Sequence, residues 1–339
     1  MRQAFLTVEL RTGDEDEAMR VDALINPGAG TAERSSDLLE HLKALFEAHG
    51  IKATLKLVAG PALASAAQVA RERAERGEID AVVAGGGDGS LSAVAATLAG
   101  TDIPMGVLPL GTRNHFAKDL GLPLELERAV AVIARATPVA IDVAEVNGRV
   151  FINNSSIGAY PFMVLDRDRR RNTHGLAKWS AMVLAAIRTL WKFPRRRLLT
   201  VVEGRSDSHR TPCVFIGNNE YSLALPAFGG RPRIDCGQLW ISVVKPKSRL
   251  ALLWLGFCAV IGRTDLADDL ITECATAVDI RSRASRLPVA LDGEVGVMRP
   301  PLRYRSRPQA LRVFRDVGPD GASANAARSA VIADSTVRD

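Results

Sequence analysis

Apolar and polar positions follow two different rhythms along this chain, and the change falls near residue 138. In the first part, short unbroken apolar runs are separated by longer stretches with apolar residues three and four apart. Ile79 to Ala84 is such a run, read as a strand buried on both faces of a parallel sheet. A strand over 21–25 leads to Asn26-Pro27-Gly28-Ala29-Gly30, and a helix follows with Leu38, Leu39, Leu42, Leu45 and Phe46 on one face. It stops at Gly50. Residues 51–57 alternate Ile51, Ala53, Leu55 and Leu57 with Lys52, Thr54 and Lys56, as in a strand near a sheet edge. Pro61 opens a second helix that ends at Gly77. After the 79–84 strand come a helix to about Ala99, a strand over 103–108, the loop Pro109 to Asn114, a short helix to Gly121-Leu122-Pro123, and a helix over 125–136. Strands alternating with helices of this length predict βαβ units and a parallel, Rossmann-like sheet.

Beyond Pro138 the period shortens. Val139–Val146 and Arg149–Asn154 flank Asn147-Gly148, the strongest short hairpin signal. Further strands are predicted at 198–203, 212–217, 238–244, 276–281, 287–291, 301–305 and 310–314, with helices at 176–193 and 249–272 between them. The fold class is therefore α/β followed by β: an α/β domain over 21–138 and an antiparallel β-sandwich over 139–316. Residues 1–20 read as an extension, with Met19 a second candidate start. From 317 the composition turns to Gly, Ala, Ser and Asp, and a disordered tail is expected.

The 339 residues suffice for two cores, and 47% apolar with 24% charged residues is an ordinary globular balance. The net charge of +6 favours anionic ligands or membrane surfaces. Basic patches with interleaved aromatics are missing, which argues against nucleic acid. Cys213, Cys236, Cys258 and Cys274 have no paired spacing, so neither structural zinc nor a disulfide framework is expected. With no secretory h-region, and with the longest apolar stretch (Leu250 to Ile261) too short for a bilayer, a cytoplasmic protein is expected.

Chemistry gathers at three loops that each follow a strand of the same sheet and so emerge at its carboxyl edge. These are Asn26–Gly30, Gly85–Ser90 and Gly111–Asn114. Glycines let backbone N–H groups approach an anion, and the helix after Gly85-Gly86-Gly87-Asp88-Gly89-Ser90 adds the positive end of its dipole. Neither Gly-x-x-x-x-Gly-Lys-Ser/Thr nor an opening Gly-x-Gly-x-x-Gly occurs.

Asn26-Pro27-x-x-Gly30, Gly86-Gly87-Asp88-Gly89-Ser90 and Gly111-Thr112-x-Asn114-x-Phe116-Ala117-x-x-Leu120-Gly121-x-Pro123 resemble the diacylglycerol kinase catalytic family, which shares its fold with NAD kinases. Asn153 to Gly158, Gly175 to Lys178, Gly217-Asn218-Asn219 and Asp292-Gly293-Glu294 extend the resemblance to about residue 314. It implies ATP- and Mg²⁺-dependent phosphorylation of a lipid hydroxyl, with ATP between the domains. Asn26, Pro27, Gly28, Ala29 and Gly30, with Gly86, Gly87, Asp88, Gly89, Ser90 and Leu91, would hold the phosphates. Gly111, Thr112 and Asn114 would line the nucleotide pocket. Glu294 matches the family's proton acceptor, with Asp292 and Asp88 the accompanying catalytic carboxylates. Asp88 is a competing base, but a carboxylate amid phosphate loops more naturally holds Mg²⁺.

Two departures stand out. Lys56 occupies the place of a nucleotide-contacting threonine; its amine would either reach a phosphate or face solvent. The family's structural magnesium turn corresponds to Pro232 to Leu239, where Cys236 replaces the ligating aspartate and Asp235 lies one place early. A thiol is a poor Mg²⁺ ligand. The 176–193 helix, with Trp179 and Trp191 between the arginines at 167–171 and 195–197, reads either as a membrane-leaning amphipathic element or as a helix packed on the sandwich. The partners expected are ATP and a lipid at a membrane surface, with peripheral membrane association; a homodimer is compatible with the sequence. The rival readings are a same-fold kinase of a soluble acceptor such as NAD, and a non-catalytic nucleotide- or lipid-binding protein.

Overall fold

A computed structural model describes residues 18–26, 32–158, 196–202, 204–211, 213–222, 230–244 and 270–316. The loop residues 27–31 and the predicted helices over 176–193 and 249–269 lie outside the described residues, as do 1–17 and 317–339.

The N-terminal part is doubly wound. Strands β1 (Arg20–Ile25), β2 (Lys52–Leu57), β3 (Ala81–Gly86) and β4 (Met105–Pro109) form a parallel sheet in the order β2-β1-β3-β4. β3 sits centrally and every one of its residues is buried, as its unbroken apolar run required. β2 is the edge strand that its alternation predicted.

One face of this sheet carries α1 (Ala32–Ala48) and α5 (Leu126–Arg135), which pack Leu42, Phe46, Val130 and Ile133 against Ala81, Val83 and Leu108. The other face carries α2 (Leu63–Glu75) and α3 (Asp88–Leu98), whose Ala67, Ala70, Leu91 and Val94 meet Leu24, Val82, Ala84 and Val107. The short α4 (His115–Asp119) follows β4.

The second part is a sandwich. Strands β5 (Pro138–Val146) and β6 (Arg149–Phe151) form the predicted hairpin, with Asn147 and Gly148 at φ 49° and 81°, the left-handed pair a tight turn needs. β8 (Arg196–Val202), β9 (Arg205–Thr211), β13 (Ala277–Ser282) and β16 (Leu302–Phe314) continue the large sheet. The facing sheet is antiparallel, in the order β12 (Leu270–Ala275), β11 (Leu239–Val244), β10 (Cys213–Asn218), β7 (Asn154–Gly158), β14 (Leu287–Leu291), β15 (Glu294–Met298). Val146, Phe151, Ile280 and Tyr304 from one layer interdigitate with Ile157, Ile216, Ile241 and Val289 from the other.

Strands β9 and β15, and β7 beyond Asn154, lie outside the expected strands, and two further details differ from the pattern-based expectation. The predicted strands 301–305 and 310–314 are one strand, β16, with a register shift between Arg307 and Leu311. Pro308 has no N–H for the ladder and Gln309 takes φ 52°, so the strand bulges without breaking. The far end of β16 pairs in parallel with β4, so a single ten-stranded sheet runs through both halves. The other difference is residues 270–272, placed at the end of a predicted helix, which lie in β12. Cross-strand pairing with β11 there outweighs a helical period that has no cap to stop it.

Candidate functional site

Where β3 ends, the chain must turn sharply into α3, and the glycines allow a close approach that no side chain would. A Cβ on Gly86 would sit 2.6 Å from the Cβ of Ser90. The Gly87 carbonyl accepts from Ser90 N (2.9 Å) and Leu91 N (3.1 Å), which starts the helix. The neighbouring loops are bonded to this turn. Asn26 Nδ2 donates to Ser90 Oγ at 2.8 Å, and Asn26 N to Gly85 O at 2.8 Å. A Cβ on Gly111 would come within 2.5 Å of Gly87 Cα, so the second and third loops touch backbone to backbone.

Asn114, buried and left-handed at φ 50°, fixes the third loop: Oδ1 accepts from Gly111 N (2.9 Å) and Nδ2 donates to Pro109 O (3.1 Å). Asp88 accepts from Phe116 N (2.9 Å) and His115 N (3.2 Å), joining the glycine turn to the start of α4. Asn26 and the second and third predicted loops thus form one body around the N-terminus of α3, where N–H groups and helix dipole favour an anion.

The β14–β15 hairpin reaches this turn from the second domain. A Cβ on Gly89 would lie 3.6 Å from Glu294 Oε1, which places the carboxylate over the first turn of α3. Asp292 holds it there. Asp292 sits at φ 47° in the hairpin turn, and its Oδ1 accepts from Asn153 N (2.8 Å) and Asn154 N (3.0 Å). Its Oδ2 accepts from Ile152 N (2.9 Å) and from Ser92 Oγ of α3 (2.5 Å). Burial pushes the Asp292 carboxyl up, against four donors that pull it down. With every oxygen so engaged, Asp292 is a positioning residue, and the exposed Glu294 is the acid that faces the turn. A cleft of about 320 Å³ opens beside them, lined by Gly89, Ser92, Thr97, Arg149, Asp292 and Glu294.

A second tie between the domains was not legible in the sequence. Arg231, with its side chain 1% exposed, donates from Nε to Asp119 Oδ2 at the end of α4 (2.7 Å). Its Nη1 reaches Ile152 O (2.6 Å) and Asn218 O (3.1 Å), and Nη2 reaches Asn153 Oδ1 (2.9 Å). Tyr221 stacks beneath the guanidinium, 5.8 Å from it. A lone arginine followed by proline gives no local signal, because its five donors find partners far apart in the chain.

Other predicted residues fare differently. Thr112 is exposed in the third loop. Leu91 is wholly buried in the α3 core and its N–H is spent on Gly87 O, so it builds the helix rather than holding phosphate. Lys56 neither reaches the glycine turn nor faces solvent freely: Nζ lies 2.8 Å from Asp22 Oδ2, a buried carboxylate that also pairs with Arg73. The lysine is thus, with Arg73, a counter-charge for the buried Asp22. Pro27, Gly28, Ala29 and Gly30 lie outside the described residues.

The two magnesium positions separate on their donors. Asp88 is fixed by two N–H groups at the glycine turn and keeps lone pairs for an ion. Mg²⁺ commonly takes one or two carboxylates together with substrate phosphates, and Asp88 fits that role. The turn around Cys236 does not fit. Asp235 pairs with Arg233 (3.1 Å), and Cys236 N donates to Asn219 Oδ1 (3.0 Å). The nearby buried Asp142 is filled by Gly237 N (2.5 Å) and Gln309 N (2.9 Å), and burial pushes its carboxyl up. Among the described residues no three His, Cys, Asp or Glu side chains converge on a metal position.

Comparison with known proteins follows the same lines. Residues 20–146 match the family model of the diacylglycerol kinase catalytic domain. An uncharacterized protein of Synechocystis is 25% identical over 312 residues, spanning 87% of this chain and 70% of that protein. A probable lipid kinase, YegS-like, of Citrobacter koseri is 40% identical over 86 residues, 24% of this chain and 29% of the relative. The crystal structure of a diacylglycerol kinase from Bacillus anthracis superposes with a TM-score of 0.61 at 20% identity, covering 89% of this chain and 98% of that one. That structure shares the two-domain fold.

Proposed function

We propose that this chain, whose residues 20–146 form a diacylglycerol kinase catalytic domain, transfers the γ-phosphate of MgATP to a hydroxyl of a lipid at a membrane surface. One observation carries the reading: Glu294, from the second domain, lies over Gly89 at the N-terminus of α3. ATP with Mg²⁺ would supply the phosphoryl group and neutralise its charge. The chain's own residues do the rest by positioning and electrostatics.

The Gly86–Gly89 backbone and the start of α3 would take the phosphates, with Asn26 and Ser90 braced against each other beside them. Gly111 and Asn114 would shape the adjoining wall, and Asp88 would hold the ion. Glu294 would accept the proton of the attacking hydroxyl, a task that needs a carboxylate within reach of both acceptor and phosphate turn. Asp292 keeps that carboxylate in place through Ser92 and the 152–154 backbone.

Lipid is favoured over NAD as acceptor by the YegS-like lipid kinase relative and by the Phe116-Ala117-x-x-Leu120-Gly121-x-Pro123 continuation. Among the described residues no helix is long and apolar enough to cross a membrane. The test is transfer of label from γ-labelled ATP to diacylglycerol, ceramide, a sphingoid base or phosphatidylglycerol in mixed micelles, with NAD as a soluble comparison. Label in at least one lipid and none in NAD is expected. Label in NAD alone, or in nothing while ATP binds, would refute the proposal.

A further inference from the structure

Four exposed arginines gather at one end of the second domain. Residue pairing aligns the finish of β13 with the starts of β8 and β16 (Ser282 opposite Leu198, Ile280 opposite Leu302). In the facing sheet, Leu287 at the start of β14 lies opposite Met298 at the finish of β15. The connections 283–286 and 299–301 join these strands across the two layers, so all these termini share one end of the sandwich. That end carries Arg281, Arg283, Arg286 and Arg299, all exposed, and none has an acidic partner among the described residues. The nearest acid along the strand, Asp279, is engaged by Arg305 at 2.8 Å. Glu294 and the α3 turn are at the opposite end of the same hairpin.

The same end is where the chain leaves and returns around its two long stretches outside the described residues. β7 finishes at Gly158, opposite Cys213, and β8 starts at Arg196. β11 finishes at Val244, opposite Leu270 of β12, and Val243 pairs with Val214 beside Cys213. The first stretch contains Trp179 and Trp191 among arginines, and the second contains the most apolar run of the chain, Leu250 to Ile261. Both therefore begin and end at this end of the sandwich.

We infer that this end of the sandwich docks on an anionic lipid bilayer, with Arg281, Arg283, Arg286 and Arg299 forming the electrostatic contact. Cations without an acidic partner suit lipid phosphates because their charge is left to attract the anionic surface. Exposed cations at the end where the chain's most apolar run departs and returns suit a bilayer's charged rim and apolar interior better than a polyanion in water. The hairpin has five residue pairs, so Glu294 stands roughly 14 Å from this surface, about the thickness of one leaflet's hydrocarbon. An acceptor must then be drawn out of the bilayer by nearly its own length.

The inference extends the lipid-kinase reading, but it is tested by binding without turnover. The full chain is floated with vesicles of phosphatidylcholine alone, or with one third phosphatidylglycerol. Compared are the wild type, a variant with Arg281, Arg283, Arg286 and Arg299 all changed to Gln, the corresponding Lys variant, and a charge-matched control with Lys43, Arg76, Arg128 and Arg135 changed to Gln. Each basic residue at an anionic surface is worth about fivefold. The Gln variant should bind anionic vesicles at least tenfold more weakly at unchanged thermal stability, while the Lys variant and the control stay within about threefold of wild type. Binding by the Gln variant within twofold of wild type would overturn the assignment. So would an equal loss in the control, no wild-type preference for anionic vesicles, or stronger binding of duplex DNA that the four arginines also carry. Vesicle binding with no lipid phosphorylated would sink the kinase reading and leave the docking surface standing.

Discussion

Replacing Arg231 by Met would separate the two domains energetically. In the folded chain this guanidinium, 1% exposed, satisfies Asp119 (itself 10% exposed), the carbonyls of Ile152 and Asn218, and the Asn153 side chain. Methionine fills much of the same volume but takes the cationic partner from a nearly buried carboxylate, which keeps only the residue-231 backbone N–H, and removes the guanidinium from the Asn218 carbonyl, while Ile152 O keeps Asn218 Nδ2. Removing one partner of a buried ion pair costs about 3–5 kcal/mol, against a total stability of roughly 5–15 kcal/mol for a typical domain. The variant should fold at low temperature with a much lower urea midpoint.

Changing Asp119 to Asn as well removes the stranded charge, so the double variant should be less destabilised than the sum of the two singles, by at least about 2 kcal/mol. The loss should also reach the chemistry. Asn153 donates its N–H to Asp292, and a 1 Å displacement of the Glu294 turn is enough for about a hundredfold loss of rate. Urea unfolding followed by circular dichroism, on wild type, both singles and the double, gives the coupling; kinase assays on the same four proteins give the rate. Additive effects within about 0.5 kcal/mol, or unchanged turnover in the Arg231 variant, would refute the idea that this arginine braces one domain against the other.

Gly111→Ala should lower ATP affinity at least tenfold in calorimetry, because its Cβ would meet Gly87 Cα at 2.5 Å and two backbones cannot part without opening the phosphate turn; overpacking of this kind costs about 1–3 kcal/mol. Without nucleotide, Mg²⁺ or a chelator should leave the melting temperature unchanged within about 1 °C, since Asp142 is filled by Gly237 and Gln309 and Cys236 stands where a carboxylate would be needed; a clear rise with Mg²⁺ would show that the turn holds metal after all. Burial raises the Asp142 carboxyl pKa, so the folded state binds more protons there than the unfolded one, and this group's contribution to stability is greatest at low pH and lost as pH rises through its folded value. The stability of wild type relative to Asp142→Asn should therefore grow as pH is lowered toward the ordinary carboxylate value, read from paired thermal melts; a difference that shrinks would reverse the assigned cause.

Local patterning carried the fold a long way. The buried run before Gly85, the alternation of the edge strand and the Asn147-Gly148 turn each encode their place within a few residues. The three loops were readable as a group because strands of one parallel sheet must deliver them to one edge. What could not be read depends on partners distant in sequence. Lys56 found Asp22 across neighbouring strands, and Arg231 found Asp119 across the domain boundary. The continuity of β16 with the N-terminal sheet is set by pairing with β4 and β5, which no period reveals. Asp292 and Glu294 are two residues apart, yet the first is spent on four donors and the second is left to face the turn.

The central claim is that an acid from the sandwich stands over the phosphate turn and accepts the acceptor's proton. The most direct measurement is the Glu294→Gln variant, assayed for γ-phosphate transfer to lipid and, separately, for ATP binding. The account predicts a loss of turnover of about 10²–10⁴-fold with ATP affinity within about threefold of wild type. Transfer at the wild-type rate, or loss of ATP binding in step with activity, would contradict it.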